Sequence, residues 1–288
     1  AAVSAYAIHP ESGELTFLNR RMSGGADACC VSVSTGDTHL MVANFTGGSF
    51  SVLPILADGS LGTASCFVQH YGKSVNPTRQ TCPHVHQATP DPEGKHLLVA
   101  DLGTDEIRVY GIDWATGLVS PNAAPAIKTD PGDGPRQFVF DQSGKFLYLV
   151  TELNNTVRVY AYDSATGHAK FLQTLPTLPN DCVLNTTAAC IKLHPTGEFL
   201  YASNRGHDSL ASYRVHKDGR LTPLSILKAN AKTPRDFNIT PDGKFLLCGF
   251  QDSDELILYS IDPLNGQLTE VERTACNSST AVLFADYE

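Results

Sequence analysis

The chain has 288 residues, 42% hydrophobic and 18% charged, which is globular composition with enough length for a sizeable core and against wholesale disorder. Its formal net charge of −9 argues against a nucleic-acid binder held by phosphate contacts, while leaving room for a local basic site. No run of 18 apolar residues occurs, so no transmembrane helix and no membrane partner are expected.

The N-terminus, AAVSAYAIHPESGELTF, lacks the basic start and long apolar core of a signal peptide. Two strands are expected within residues 4–20, AVSAYAI and ELTFLNR, with a turn at Gly13 between them. Then a repeat begins. A turn residue, a charged or polar residue and an apolar run recur as DTHLMVAN from Asp37, GKHLLVAD from Gly94, GKFLYLVT from Gly144, GEFLYASN from Gly197 and GKFLLCGF from Gly243. The spacings are 57, 50, 53 and 46 residues. A second turn glycine follows in each unit, at Gly59, Gly117, Gly167, Gly219 and Gly266. Two β-patterned, turn-bounded blocks in fixed order give about four strands per unit, the period of a propeller blade. The fold class is therefore all-β, a β-propeller occupying residues 1–288 as one domain. Five full blades are expected to begin near residues 27, 83, 135, 187 and 234. The ends read as partial blades: two outer strands at 4–20 and one inner strand at 280–287, TAVLFADY.

The eight cysteines show no CxxC spacing, and a chain this long is no disulfide framework; reduced, mostly buried thiols and a cytoplasmic location are expected. GxSxG and P-loop patterns are absent, which removes the commonest serine-hydrolase and nucleotide readings.

Aligning the units against one another exposes positions that vary while the strands around them do not. Eight residues before the turn glycine stand His86, Arg136, Ala189 and Arg235; eight after it, Leu102, Glu152, Arg205 and Gln251; seven after it, Asp101, Thr151, Asn204 and Phe250. Charged and polar groups set at equivalent ends of regular blades are the pattern of a site on a scaffold, and they are expected to converge at one channel mouth. Arg136, Arg205 and Arg235 suit carboxylate or phosphate. Glu152 is a candidate proton donor or acceptor, or an arginine's partner. His84 and His86 supply imidazoles, the side chain suited to proton exchange; on a strand both rings face one side, but no matching carboxylate cluster accompanies them, so no metal is expected. Asp105 and Asp208 read as residues that shape the loop to the third strand.

RQTCPHVH (79–86), VADLGTDEIRVY (99–110), GPRQFVF (134–140), YLVTELNNTVRVY (148–160) and HPTGEFLYASNRGHDSLASYRV (194–215) resemble the seven-bladed lactonase family, which includes propeller-type 6-phosphogluconolactonases and fungal carboxy-cis,cis-muconate lactonizing enzymes. The likeness runs through residues 4–287. It implies seven blades, no cofactor, and a site whose histidine falls on His84 or His86, with Arg136, Glu152 and Arg205 as catalytic companions. Arg235, Gln251, Asn204 and Asp101 are expected to bind substrate from their repeat positions. Where the family often reads GPRH, this chain has Gln137. Family members also begin with more than a blade's worth of sequence before AVSAYAI, so an N-terminal segment is expected to be missing here.

The resemblance implies hydrolysis of a phosphorylated sugar lactone, most of all 6-phosphogluconolactone. His84 or His86 would activate water, Arg136 or Arg205 would stabilise the oxyanion, Glu152 would assist proton transfer and Arg235 would hold the phosphate. The alternatives are a lactonizing cycloisomerase on a dicarboxylate, which wants the same cationic site, and a non-catalytic propeller scaffold.

Overall fold

A computed structural model describes residues 1–284 of the chain. Among the described residues the regular secondary structure is β apart from one short 3-10 turn at Gln251–Ser253, and no helix is long and apolar enough to cross a membrane. Contacts divide the described residues into two compact units, one of residues 1–136 with 163–168, the other of 137–162 and 169–284.

In the first unit a hairpin, β1 (Ala2–Ile8) and β2 (Leu15–Met22), precedes two antiparallel meanders. The first meander is β3 (Ala28–Val33), β4 (His39–Asn44), β5 (Ser49–Pro54) and β6 (Cys66–Gln69). The second is β7 (Val85–Pro90), β8 (His96–Asp101), β9 (Glu106–Asp113) and β10 (Leu118–Pro121), with the short β11 (Ile127–Lys128) also paired to β9. A third meander follows as β12 (Pro135–Phe140), β13 (Phe146–Thr151), β14 (Thr156–Asp163) and β15 (His168–Pro176). The second unit adds β16 (Thr187–Leu193), β17 (Phe199–Arg205), β18 (Ser209–Val215) and β19 (Leu221–Lys228), then β20 (Pro234–Ile239), β21 (Phe245–Phe250), β22 (Glu255–Ile261) and β23 (Leu268–Ala275).

The apolar runs of the repeat are the second strands of these sheets. Every residue of β4 and of β8 is buried, whereas the fourth strands β10 and β23 are mostly exposed. A strand covered on both faces reads as a continuous apolar run, and an outer strand does not. Within the first unit, Met41, Phe50, Val85, Leu97 and Val99 form the core between the two meanders, and Val3 and Ala5 of the leading hairpin pack on Leu40, Val42 and Leu53. Within the second, Tyr148, Val157, Ile191, Leu200 and Tyr213 form one core, and Phe199, Tyr201, Phe237, Phe250 and Tyr259 the next.

The second turn glycine locks neighbouring sheets together. Gly266 has φ +71°, and a Cβ there would lie 2.5 Å from Cδ1 of the buried Phe199 ring. Gly219, at φ +77°, would likewise meet Phe146. Both the left-handed backbone and the close approach require glycine. Gly266→Ala is expected to cost about 2–3 kcal/mol, from αL strain and overpacking against a closed core. A urea titration checks this, and a loss under about 0.5 kcal/mol, the range of an ordinary surface change, would contradict it.

Two expectations fail. Residues 281–284, AVLF, form no strand: Val282 is buried and its N–H donates to Asp236 Oδ2 (2.8 Å), so the segment is held by a side chain rather than by a ladder. The rest of the expected inner strand, 285–287, lies outside the described residues. The cysteines are not mostly buried either; only Cys190 and Cys248 are, while Cys29 and Cys82 are exposed. The buried two face the Phe237 core, whereas Cys82 lies in a loop and Cys29 at an irregularity of β3.

Candidate active site

The first strand of most meanders is interrupted at one place. Its register against the second strand shifts between Ala28 and Cys30, between Val85 and Gln87, between Ala188 and Ile191, and between Pro234 and Asp236. Cys29, His86 and Arg235 are therefore the extra residues of β-bulges, and a bulge re-aims the side chain it frees from the ladder. These are the residues eight before each turn residue. Cys29 was missed, although the same count back from Asp37 reaches it. In β16 the bulge holds Ala189 and Cys190; burial pushes the Cys190 thiol far up, with Asp236 adding to it, so it stays protonated and is no nucleophile. Arg136 occupies the equivalent repeat position in β12 and is 3% exposed.

In the first unit His84 and His86 share one aromatic neighbour. His84 stacks on Phe45 (centroids 4.6 Å, 19°) and His86 meets the same ring edge-on (5.7 Å, 78°). The Phe45 carbonyl lies 3.1 Å from His84 Nδ1 and can only accept, so the neutral ring would carry its proton on Nδ1 and its lone pair on Nε2. That Nε2 lies 3.7 Å from Cys82 Sγ.

Asp101 anchors this arrangement from behind. Its Oδ1 accepts the backbone N–H groups of His84 (2.8 Å) and Gly103 (2.9 Å), and its Oδ2 lies 2.7 Å from His70 Nδ1. His70 Nε2 in turn meets the Tyr110 hydroxyl at 3.0 Å. Asp101 and the His70 side chain are fully buried. The expected substrate contact by Asp101 gives way to a supporting role: its oxygens are engaged by the His84 and Gly103 N–H groups and by His70 Nδ1. His70 is a residue that the repeat alignment had no means to select, because it lies in the variable crossover between sheets.

Asp105, with φ +56°, does more than shape its own loop. Oδ1 accepts Gly134 N–H (2.7 Å) and Gln80 Nε2 (2.8 Å), and Oδ2 accepts Gly132 N–H (2.7 Å) and the Ser74 hydroxyl. It thereby ties down the loop that delivers Arg136. Asp208 repeats the device, accepting Thr233 N–H (2.9 Å) two residues before Arg235. Asp105→Ala strips four donors of a charged acceptor; a stability loss of at least about 2 kcal/mol is expected in chemical denaturation, with a fall in kcat/KM beyond the unfolded fraction.

In the second unit Glu152 and Arg205 form a buried ion pair, Nη2 to Oε2 at 2.9 Å, with side chains 5% and 16% exposed. Nη2 of Arg205 also donates to Ala188 O (3.1 Å), and Ala188 N–H donates to Glu152 O (3.1 Å). The guanidinium is thus fixed from several directions. Asn204 is withdrawn from the site. It is fully buried, its Nδ2 donates to Thr177 O (2.8 Å) and Ser209 Oγ (3.1 Å), and its Oδ1 accepts Thr177 Oγ1 (2.5 Å). Thr151 to Thr156 (2.7 Å) and Asn44 to Ser49 (3.3 Å) make the same closure of the turn between second and third strands. The polar residue seven after the turn glycine is a loop clasp, which corrects its reading as a substrate contact. Arg235 and Gln251 lie at one end of the β20–β21 pair, next to the Pro234–Phe250 partners. Arg235 is half-buried and makes no hydrogen bond or ion pair among the described residues, and the buried Oε1 of Gln251 has no partner there either. Among the described residues no cluster of three or more His, Cys, Asp or Glu is placed to hold a metal ion.

Repeated four-stranded meanders with bulge-displayed cations and histidines define a blade-built β enzyme scaffold of the propeller class. The family model described as Lactonase, 7-bladed beta-propeller, matches residues 1–284. A 6-phosphogluconolactonase of Bacillus subtilis is 33% identical over 94% of this chain and 77% of its own. One from Formosa agariphila is 30% identical over 99% of this chain and 81% of its own. Among solved structures, the periplasmic gluconolactonase of Pseudomonas aeruginosa superimposes with a TM-score of 0.90 at 31% identity, covering 96% of this chain and 78% of that one. The chain belongs to the seven-bladed β-propeller lactonase family, and it is a lactone-hydrolysing enzyme.

Proposed function

We propose that the substrate is a sugar lactone, 6-phosphogluconolactone first among them, opened to the hydroxy acid by addition of one water. The observation that carries this reading is the buried Glu152–Arg205 pair, a rigid cation beside a carboxylate on a bladed lactonase scaffold. Water adds to the lactone carbonyl carbon, giving its proton to a base; the tetrahedral oxyanion collapses, the ring C–O bond breaks, and the leaving alkoxide takes up a proton. His84 is the base of choice, because its Nε2 keeps the lone pair while Nδ1 is held by Phe45 O; His86 supports it through the shared Phe45 ring. Arg136 or Arg205 stabilises the oxyanion, and Glu152 orients Arg205 and serves proton transfer. Arg235 binds the phosphate, because its guanidinium has no partner among the described residues, and Gln251 Oε1 accepts from a sugar hydroxyl. The relatives named 6-phosphogluconolactonase support the phosphorylated substrate. Cys66, Cys82, Cys182, Cys190, Cys248 and Cys276 are all thiols, which supports a reducing, cytoplasmic compartment.

The test is a panel of fresh lactones with and without phosphate, followed by base titration of released acid. A phosphorylated sugar lactone is expected to be preferred at least tenfold in kcat/KM, and Arg235→Ala is expected to erase that preference by raising KM for the phosphorylated compound alone. Equal rates on both lactones would sink the assignment of 6-phosphogluconolactone.

A further inference from the structure

Within the second unit, at the end of β13 and β17 remote from Glu152 and Arg205, lies a cavity of about 580 Å³. Its wall includes Asp141, Lys145, Tyr148, Glu198, His216 and Lys217. Tyr148, the lining residue furthest along β13, precedes Glu152 by four residues, so about 13 Å of strand separates this cavity from the loop of Glu152. Tyr148 is fully buried, yet its hydroxyl has no hydrogen-bond partner among the described residues.

The repeat explains the unmet hydroxyl. Tyr201 holds the same position in β17, and its hydroxyl donates to Gly266 O at 2.9 Å. The surroundings correspond: Gly266 sits on Phe199 as Gly219 sits on Phe146. What differs is the turn. The β22–β23 turn is closed by Gly266 N–H to Asp262 O (2.8 Å), four residues apart, while the β18–β19 turn is closed by Gly219 N–H to His216 O (2.9 Å), three apart. One residue fewer leaves the Tyr148 hydroxyl without a carbonyl partner, and Tyr148 is one of the residues that line the cavity.

We propose that this cavity is a second ligand site, separate from the lactone chemistry, for a small hydroxylated anion bearing a carboxylate or a phosphate. Its volume falls in the usual range for a small-molecule site, about 300–1,000 Å³. Tyr148 supplies an O–H donor that stays protonated, because burial pushes its pKa up and Asp141 and Asp218 push the same way. Lys145 and Lys217 are exposed and have no hydrogen bond or ion pair from their side chains among the described residues. The opposing acids are Asp141, whose carboxylate already accepts Ser143 N–H (3.1 Å), Ser143 Oγ and Phe146 N–H (2.7 Å), and Glu198. Arg214 is committed to Leu264 O (2.7 Å) and to the Phe199 ring. The wall carries three cations, Lys145, Arg214 and Lys217, against two carboxylates, Asp141 and Glu198, a positive balance that favours an anion, and the half-buried Phe146 ring gives its carbon skeleton an apolar face.

Titration calorimetry with gluconate and with glycerol 3-phosphate, two probes that separate carboxylate from phosphate, tests this. At least one is expected to bind wild type at millimolar concentration. That binding survives Arg235→Ala, weakens about tenfold in Tyr148→Phe and is lost when Lys145 and Lys217 are both changed to Ala. Tyr148→Phe removes only an unpaired hydroxyl, so it folds normally. Replacing residues 216–219 by the sequence of 262–266 is expected to abolish binding and raise the melting temperature. Lactone hydrolysis stays unchanged in the tyrosine, lysine and turn variants, so failure here is distinct from failure of the lactone assignment. Absence of binding by both probes, or undiminished binding in Tyr148→Phe or in the turn graft, would overturn the site.

Discussion

Glu152→Gln is expected to lower kcat/KM for the lactone by about 10²- to 10⁴-fold, the usual contribution of a positioned acid or base. The amide keeps the shape of the carboxylate and can still accept from Arg205, so the loop from β13 should hold its place. What it loses is the charge that balances a guanidinium only 16% exposed, and the ability to carry a proton. In the proposed role, acting on charge that develops during reaction, the loss should appear in kcat with little change in KM. Breaking a buried pair from one side also destabilises, typically by about 3–5 kcal/mol for outright removal, so each variant is assayed at a temperature where its melt shows it fully folded. A folded Glu152→Gln enzyme retaining more than a tenth of wild-type kcat would reduce the pair to a structural tie and move the chemistry to His84 and Arg136.

The largest effect on stability is expected at Phe237. Its side chain is fully buried in the core with Phe199, Tyr201, Phe250 and Tyr259, and both buried thiols, Cys190 and Cys248, belong to the same cluster. Its backbone accepts from Cys190 Sγ (3.5 Å) and its register partner in β21 is Cys248. The site is closed on every side by rigid rings and strands, so the cavity left by Phe237→Ala has little room to collapse. A loss of about 3–5 kcal/mol is expected, read as a lower denaturant midpoint at unchanged slope. Leu264→Ala is the control: Leu264 is 83% exposed in the β22–β23 turn, and its removal should stay within about 0.5 kcal/mol. Equal effects at the two positions would mean that this core does not carry the second unit.

The sequence by itself determined where the strands lie and which residues vary between blades. Buried second strands such as HLLVAD and FLYLVT are continuous apolar runs because both their faces are covered, and that signal is local. Turn glycines are legible for the same reason, since φ and close approach act at one position. The position eight residues before each turn was also readable, and His86 and Arg235 proved to be bulge residues. Only tertiary structure decided what each polar group had left to offer. Asp101 and Asn204 looked as available as Glu152 and Arg205, but their hydrogen-bonding capacity is consumed by His70, Thr177 and backbone groups up to 31 residues away. Asp105 proved to be the holder of the loop before Arg136, a bond across 29 residues that no spacing rule contains. The apolar segment 281–284 reads as a strand in one dimension, yet a strand exists only where a partner offers a ladder, and here Asp236 offers a single carboxylate. Local periodicity fixes backbone shape; the satisfaction of polar groups depends on partners that only the folded chain brings within 3 Å.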